Sequence, residues 1–124
     1  MFKLTFCLRR LPHLTREEFQ TYWRGTHADL VAERAGPLRI KRYAQFHTED
    51  LPGLHAAMQG RNGGSPEPFD GIAEIWVESI DDVASTDPAL RAAGADLLAD
   101  EKNFIDLANS PMFITKEHLI VDVT

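Results

Sequence analysis

FKLTFCLRR (residues 2–10) and TREEFQTYWRGTHADLVAERAGP (residues 15–37) stand near the start of the chain and decide its fold. Apolar side chains occupy every second position of the first segment, a period that predicts a β-strand: Phe2, Leu4, Phe6 and Leu8. In the second segment Thr15 and Glu18 form a T-x-x-E capping box, which predicts the start of an α-helix. A Gly-Pro pair at residues 36–37 ends that helix.

One face of this predicted helix is aromatic and also carries a histidine. Its members recur at spacings of three and four residues: Phe19, Tyr22, Trp23, Thr26, His27 and Leu30. An imidazole has an ordinary pKa of about 6.5, so His27 can take or give a proton near neutral pH. The alternative is a core histidine that is hydrogen-bonded to the backbone. The spacing therefore makes His27 a candidate general base or acid and leaves a structural role open.

Three further strands and a second helix are predicted downstream. The strands cover residues 38–47, 71–78 and 112–123, and the first of them places three polar side chains on one face: Tyr43, Gln45 and His47. Asp87 followed by Pro88 predicts the N-terminus of the second helix, which should extend towards residues 104–107. The resulting order predicts one α+β domain over residues 1–124, with the ferredoxin-like βαββαβ arrangement and an antiparallel sheet.

Residues 51–68 interrupt this order with seven Gly or Pro in eighteen positions. That composition predicts a long loop, with regular structure limited to a turn of helix at residues 54–59. Long loops in compact domains often act as lids or binding loops. We therefore expect this segment to be mobile and to lie near the mouth of a pocket.

Composition excludes several classes of protein. A net charge of −6 does not favour a nucleic-acid binder, and no apolar run is long enough for a transmembrane helix. The N-terminus lacks the continuous apolar block of a signal peptide, and a single cysteine, Cys7, excludes an internal disulfide. Together these features predict a cytoplasmic protein that binds neither nucleic acid nor membrane. The five histidines have no short ligand spacing, so no metal site is expected.

The predicted fold leaves one face of the sheet without helices. The last predicted strand is apolar on both faces, which favours covering that face with a second copy of the chain. We therefore expect a homodimer in which two sheets pack together.

Four segments together resemble the EthD-like family of dimeric α+β barrel proteins. They are FQTYWRGTHADLV (19–31), RYAQFH (42–47), FDGIAEIWVES (69–79) and DEKNFIDLANSPMFITKEHLIV (100–121). The resemblance implies a pocket between helices and sheet in each subunit. It also implies that the histidine of the first helix and the tyrosine of the second strand, here His27 and Tyr43, are the polar candidates.

Taken with the residues, the resemblance implies cofactor-free acid–base chemistry of the lyase or isomerase type on a small hydrophobic, aromatic or lactone-like molecule. His27 is the expected base or acid, and Tyr43 the hydrogen-bond donor to a carbonyl oxygen. The expected pocket residues are Tyr22, Trp23, His47, Trp76, Phe104 and Phe113. Two alternatives remain: a non-catalytic binding or accessory protein of a catabolic or oxygenase pathway, and a cofactor-independent oxygenase.

Overall fold

Four antiparallel strands form the sheet in the computed structural model, which describes all 124 residues. The strands are β1 (Phe2–Leu8), β2 (Arg42–His47), β3 (Gly71–Val77) and β4 (Met112–Thr115). Their order across the sheet is β2-β3-β1-β4, with β1 paired to both β3 and β4. The ferredoxin-like α+β fold predicted from the sequence is confirmed.

Five α-helices accompany the sheet, and three of them contribute buried side chains. The five are α1 (Arg16–Tyr22), α2 (Ala28–Arg34), α3 (Pro52–Arg61), α4 (Asp81–Ala84) and α5 (Pro88–Glu101). The predicted capping box is present, since Thr15 accepts from the backbone of Glu18 and Glu18 accepts from that of Thr15. The predicted N-cap of α5 is also present, because the Asp87 side chain accepts a hydrogen bond from the Ala89 amide.

A π-helical turn (Trp23–His27) joins α1 to α2 without a break. Four side chains are buried along this continuous helix at four-residue spacing: Phe19, Trp23, His27 and Val31. In a regular α-helix each four-residue step rotates a side chain by about 40°, so the last of these would turn well away from the first. The wider turn, in which the Ala28 amide reaches back to the Trp23 carbonyl, counteracts that rotation and keeps His27 facing inward.

Aromatic side chains dominate the core between sheet and helices. Phe19, Trp23 and Phe104 are fully buried, and the Phe19 ring lies 5.6 Å from that of Trp23 and 5.5 Å from that of Phe104. Gly71 allows β3 to approach the indole, because a Cβ there would lie 2.7 Å from the Phe46 carbonyl oxygen and inside the contact distance of the Trp23 ring. Cys7 is a buried free thiol. None of the helices combines the length and the apolar character needed to span a bilayer.

Two strands are shorter than predicted. The second begins at Arg42 rather than residue 38, because the chain is still turning at Arg39, which has a positive φ of 60°. The last ends at Thr115 rather than residue 123. Its pairing with β1 ends at Lys3 opposite Thr115, close to the start of β1, so little of that strand remains to pair with. Residues 116–124 form neither helix nor strand.

The prediction for residues 51–68 was wrong in one respect. The segment contains the ten-residue helix α3, which starts at a proline in the first turn, where a missing amide is tolerated. Gly53 and Gly60 lie within the helix, whereas Gly63 and Gly64 follow it and have positive φ values. None of residues 51–68 lines the apolar cavity described below, and a role of the segment as a lid stays a prediction. The mobility of the segment stays a prediction.

The helix predicted to reach residues 104–107 ends at Glu101. The chain turns there, with the amides of Phe104 and Ile105 both bonded to the Glu101 carbonyl. Because Phe104 and Ile105 then enter the core, their apolar character does not indicate a longer helix.

Candidate functional site

His27 forms a hydrogen-bonded pair with Asp100, the residue before the end of α5. His27 Nδ1 lies 2.8 Å from Asp100 Oδ2, and the histidine side chain is only 6% exposed. The Phe104 ring packs against the imidazole with a centroid distance of 4.9 Å. The other ring nitrogen, Nε2, makes no hydrogen bond within the protein and is not fully enclosed. The pair therefore fixes the ring at one nitrogen and leaves the other available.

The protonation states of this pair follow from its surroundings. Burial lowers the pKa of His27 more than the Asp100 carboxylate raises it. Burial raises the pKa of Asp100, but hydrogen bonds from Tyr22, His27 and Asn103 together place it below its usual range. At neutral pH the pair is a neutral imidazole beside a carboxylate. Since a carboxylate only accepts, Nδ1 carries the proton and Nε2 holds a free lone pair.

Two more groups hold Asp100 in place. The Tyr22 hydroxyl donates to Asp100 Oδ1 over 2.5 Å, and Asn103 Nδ2 lies 3.3 Å from the same oxygen. The hydrogen bond to Asp100, together with burial, raises the pKa of Tyr22, so its phenol remains a donor. Tyr22, predicted to contact substrate, is thus placed beside the His27 pair as a support for the carboxylate.

Tyr43 begins a row of polar side chains along the helix-facing side of β2. Gln45 Nε2 donates to the Trp23 carbonyl over 2.9 Å, which identifies this atom as the amide nitrogen. It also lies 2.8 Å from the Tyr43 hydroxyl, which must therefore accept. The amide oxygen of Gln45 then accepts from His47 Nε2 over 2.8 Å. The Tyr43 proton takes no part in this row and is free to be donated elsewhere.

Burial raises the pKa of Tyr43, although hydrogen bonds from Gln45 and Trp23 oppose that rise. The phenol therefore stays protonated at neutral pH and is suited to donate to an oxygen that carries negative charge. The negative charge of Glu101 also raises this pKa, which places Tyr43 close to the end of α5. The C-terminal end of α5 is thus the point where the groups from the π turn and from β2 approach each other.

An apolar cavity of about 330 Å³ lies between the sheet and α5. It is lined mainly by aliphatic side chains, among them Leu4, Ile75, Leu90 and Leu97. Its polar lining includes Glu101, whose carboxyl forms no ion pair and accepts no hydrogen bond. Burial, together with the nearby charge of Asp100, raises the pKa of Glu101 to about 7. Neither His27 nor Tyr43 lines this cavity, and Glu101 is the lining residue whose charge acts on Tyr43.

The six predicted pocket residues do not form one pocket. Trp23 and Phe104 are 1% and 0% exposed, so both are core side chains with no surface for a ligand. His47 stacks on Trp23 at 4.3 Å and belongs to the β2 row. Trp76 and Phe113 lie on the other face of the sheet, since strand register places Trp76 opposite Lys3 and Phe113 opposite Thr5. The prediction of an aromatic wall that includes them is wrong because side chains alternate across a strand.

Sequence analysis missed Asp100, Gln45 and Glu101 as site residues. From the sequence, Asp100 and Glu101 are read most simply as a solvated helix end, because the partner of Asp100 is distant: His27 is 73 residues away. Gln45 was visible on the face of Tyr43 by alternation, but its role depends on the Trp23 carbonyl. No group of three or more His, Cys, Asp or Glu side chains is placed to hold a metal ion.

Comparison with the sequence profiles of protein families shows to which family the chain belongs. The sequence profile of the EthD domain matches residues 11–108, which include the His27 pair, the β2 row and Glu101. The chain belongs to the EthD family. This confirms the resemblance seen in the sequence. No protein of curated function matches the chain.

Three solved structures share the fold, and two of them are described as EthD or EthD-like proteins. An ethyl tert-butyl ether D (EthD) family protein from Bacillus halodurans C-125 is 17% identical with a TM-score of 0.60, and the match covers 95% of this chain and 99% of that one. An EthD-like protein from Ralstonia eutropha JMP134 is 16% identical with a TM-score of 0.59, covering 93% and 89%. A dimeric ferredoxin-like protein of unknown function from Bacteroides fragilis NCTC 9343 is 14% identical with a TM-score of 0.57, covering 94% and 95%.

Proposed function

We propose that this EthD-family chain catalyses proton transfer on a small hydrophobic carbonyl compound, with His27 as the general base and without a metal or organic cofactor. The observation that supports this is the Asp100–His27 pair, in which Nδ1 is occupied and Nε2 is unpartnered. Asp100 fixes the tautomer and stabilises the imidazolium that forms when Nε2 accepts a proton. A histidine with only a packing role does not need this arrangement.

The proposed step is an isomerisation through an enolate. His27 Nε2 removes a proton from a carbon next to the carbonyl group, and the C–H electron pair forms a carbon–carbon double bond. The carbonyl π electrons move to oxygen, where the free proton of Tyr43 is donated as a hydrogen bond to the developing charge. In a substrate with a carbon–carbon double bond one position further from the carbonyl, the enolate is conjugated with that double bond, and the imidazolium returns its proton to the far carbon of the double bond. The double bond thereby moves into conjugation with the carbonyl, and both the carbonyl and the neutral His27 are restored. A lyase reaction differs only in that the enolate expels a leaving group.

Two enolisable probes test the proposal: 2-tetralone, which is aromatic, and α-angelica lactone, whose double bond can migrate. Proton exchange in deuterated water is followed by NMR with the wild type, with His27→Gln and with the control Gln59→Glu on α3, outside the site. We expect His27→Gln to slow exchange by roughly 10²–10⁴-fold and to remove the limb of the pH–rate profile near neutrality. The same rate per folded molecule in His27→Gln would contradict the proposal.

The second candidate function is binding without catalysis. The apolar cavity favours it, because His27 and Tyr43 do not line this cavity. A binding protein needs only the cavity and a polar group within it. Saturable binding of 2-tetralone without exchange above the rate in buffer would support this function over the first.

We also propose that the chain acts as a homodimer, with the helix-free face of the sheet as the interface. Phe46 and Phe113 are 49% and 47% exposed there, on the two edge strands β2 and β4. Between them Trp76 is flanked by Lys3 and Arg42, 5.4 Å and 4.6 Å from its ring. Exposed aromatic side chains on a sheet face are expected to be covered, and obligate dimers bury more than roughly 1,200–2,000 Å².

A further inference from the structure

The apolar cavity has the size and lining of a site for a small organic molecule. Its volume of about 330 Å³ lies at the lower end of the range for ligand pockets, roughly 300–1,000 Å³. Leu4 and Ile75 line it from the sheet, and Leu90 and Leu97 from α5. Such a surface favours an apolar body and provides few hydrogen bonds, so the few polar groups present decide what else the occupant carries.

Glu101 is the unpaired carboxyl in this cavity. Asp82 also lines it, but its carboxylate accepts from the Ser79 amide over 3.0 Å and lies 3.5 Å from Arg39 Nη1. Glu101 has no corresponding partner. Since a partly buried carboxyl is unfavourable unless it is hydrogen-bonded, the group is expected to gain stabilisation from a molecule that brings a polar atom to it.

Gly94 leaves room in the same cavity. It lies within α5, where glycine is roughly 0.5–1 kcal/mol less favourable than alanine. A Cβ added there would meet no atom within 4 Å, so packing does not require glycine. Because Gly94 is part of the lining, a larger side chain at this position would extend into the cavity. The position thus keeps the space open at the expense of helix stability.

We infer that this cavity binds a small apolar molecule carrying one hydroxyl or carbonyl oxygen, and that the Glu101 carboxyl hydrogen-bonds to that oxygen. A protonated carboxyl donates to a carbonyl, and an ionised one accepts from a hydroxyl, so both groups are suitable. An anionic ligand is disfavoured, because Glu101, Asp100 and Asp82 are all acidic. The inference rests on the proposed function in one respect: it takes this molecule to belong to the class of the proposed substrate.

The test compares three probes that share the naphthalene ring system: 2-naphthol, naphthalene and 1-naphthoate. Dissociation constants are measured by NMR for the wild type, for Glu101→Leu and for Gly94→Leu, with Glu78→Leu as the control at an exposed glutamate. We expect the wild type and the control to bind 2-naphthol more tightly than naphthalene, and 1-naphthoate most weakly. Glu101→Leu should weaken 2-naphthol binding by roughly 10–100-fold while retaining naphthalene. Gly94→Leu should abolish binding of both.

Three results would overturn the inference: no binding of 2-naphthol to the wild type, unchanged binding to Gly94→Leu, or a preference for 2-naphthol that survives in Glu101→Leu. Both leucine variants place an apolar side chain beside an apolar cavity, and circular dichroism verifies that they fold. His27→Gln separates this inference from the proposed function, because it should lose proton exchange and keep 2-naphthol binding. If the wild type shows the binding pattern without exchange, only the proposed function fails. If exchange occurs without the binding pattern, only this inference fails.

Discussion

Replacing Glu101 by glutamine should make the stability of the protein less dependent on pH. Glutamine keeps the size of the side chain and removes its charge. In the folded protein, burial followed by the charge of Asp100 raises the pKa of Glu101 from an ordinary 4.5 to about 7. Between these two values the folded state holds the proton more firmly than the unfolded state. The free energy of unfolding of the wild type therefore falls as pH rises through this window.

The size of the effect follows from the two pKa values. A difference of about 2.5 units corresponds to about 3 kcal/mol, since each unit is worth about 1.4 kcal/mol. The loss is about 1 kcal/mol at pH 5 and reaches about 3 kcal/mol at pH 8, where the carboxyl is ionised in both states. Solvent reaches part of the carboxyl, so these values are upper figures. Glu101→Gln lacks this loss. The difference in free energy of unfolding between the variant and the wild type, in favour of the variant, should therefore grow by about 2 kcal/mol from pH 5 to pH 8.

Urea unfolding at pH 5, 6, 7 and 8, at one fixed protein concentration, measures this difference. The matched control is Glu78→Gln, the same substitution at an exposed glutamate that has no ion pair. The control should show the pH dependence of the wild type. If the advantage of Glu101→Gln is the same at pH 5 and pH 8, the carboxyl is not destabilised by its surroundings, and the reasoning is refuted.

Three further predictions concern packing, assembly and the His27 pair. Gly71→Ala should destabilise the protein by about 2 kcal/mol or more, because its Cβ would collide with the Trp23 ring and the Phe46 carbonyl, whereas Gly94→Ala should stabilise it by about 0.5–1 kcal/mol. Thermal unfolding should give these opposite signs; equal effects would contradict the difference in packing. Phe113→Glu should convert a dimer into a monomer of 13.9 kDa in light scattering, with Gln59→Glu on α3 as the control, since both substitutions add one negative charge. A wild type that is already monomeric would rule out the proposed interface. Asp100→Asn should lower the pKa of His27 further, because the carboxylate is what raises it. NMR titration of the imidazole measures this, and a higher pKa in the variant would be the opposite result.

Local signals in the sequence predicted the fold because they act over a few residues. The capping box at Thr15 and the N-cap at Asp87 satisfy backbone groups within one turn of helix, so both helix starts are where the pattern places them. The ends of strands depend on partners instead. The last strand stops where β1 begins, and nothing in residues 116–123, four of which are aliphatic, indicates that limit.

The candidate site was predictable only as single residues. His27 and Tyr43 stand out by residue type and by the face that they occupy, but their partners do not. Asp100, the partner of His27, lies far along the chain on α5. Gln45, the partner of Tyr43, is oriented by the backbone carbonyl of Trp23. Nothing in the sequence around Glu101 indicates a site, because its raised pKa arises from burial among the leucines and the sheet around it. Trp76 and Phe113 were assigned to the wrong face for a different reason. Alternation within the strands was visible, but which face the helices would cover was assigned by residue type rather than by register.

The π turn at Trp23–His27 makes this helix tolerant of a change in length. A π turn equals an α-helix with one extra residue, which the wider turn absorbs, so deleting one residue there would leave a regular α-helix whose two flanking halves keep their orientation. Phe19 before the turn and Val31 after it would therefore stay in the core. A deletion in either flanking α-helix has no such turn to absorb it and would rotate the residues beyond it by about 100°. In an alignment of the family, a one-residue gap is therefore expected between the aromatic pair at 22–23 and the histidine rather than elsewhere in the helix.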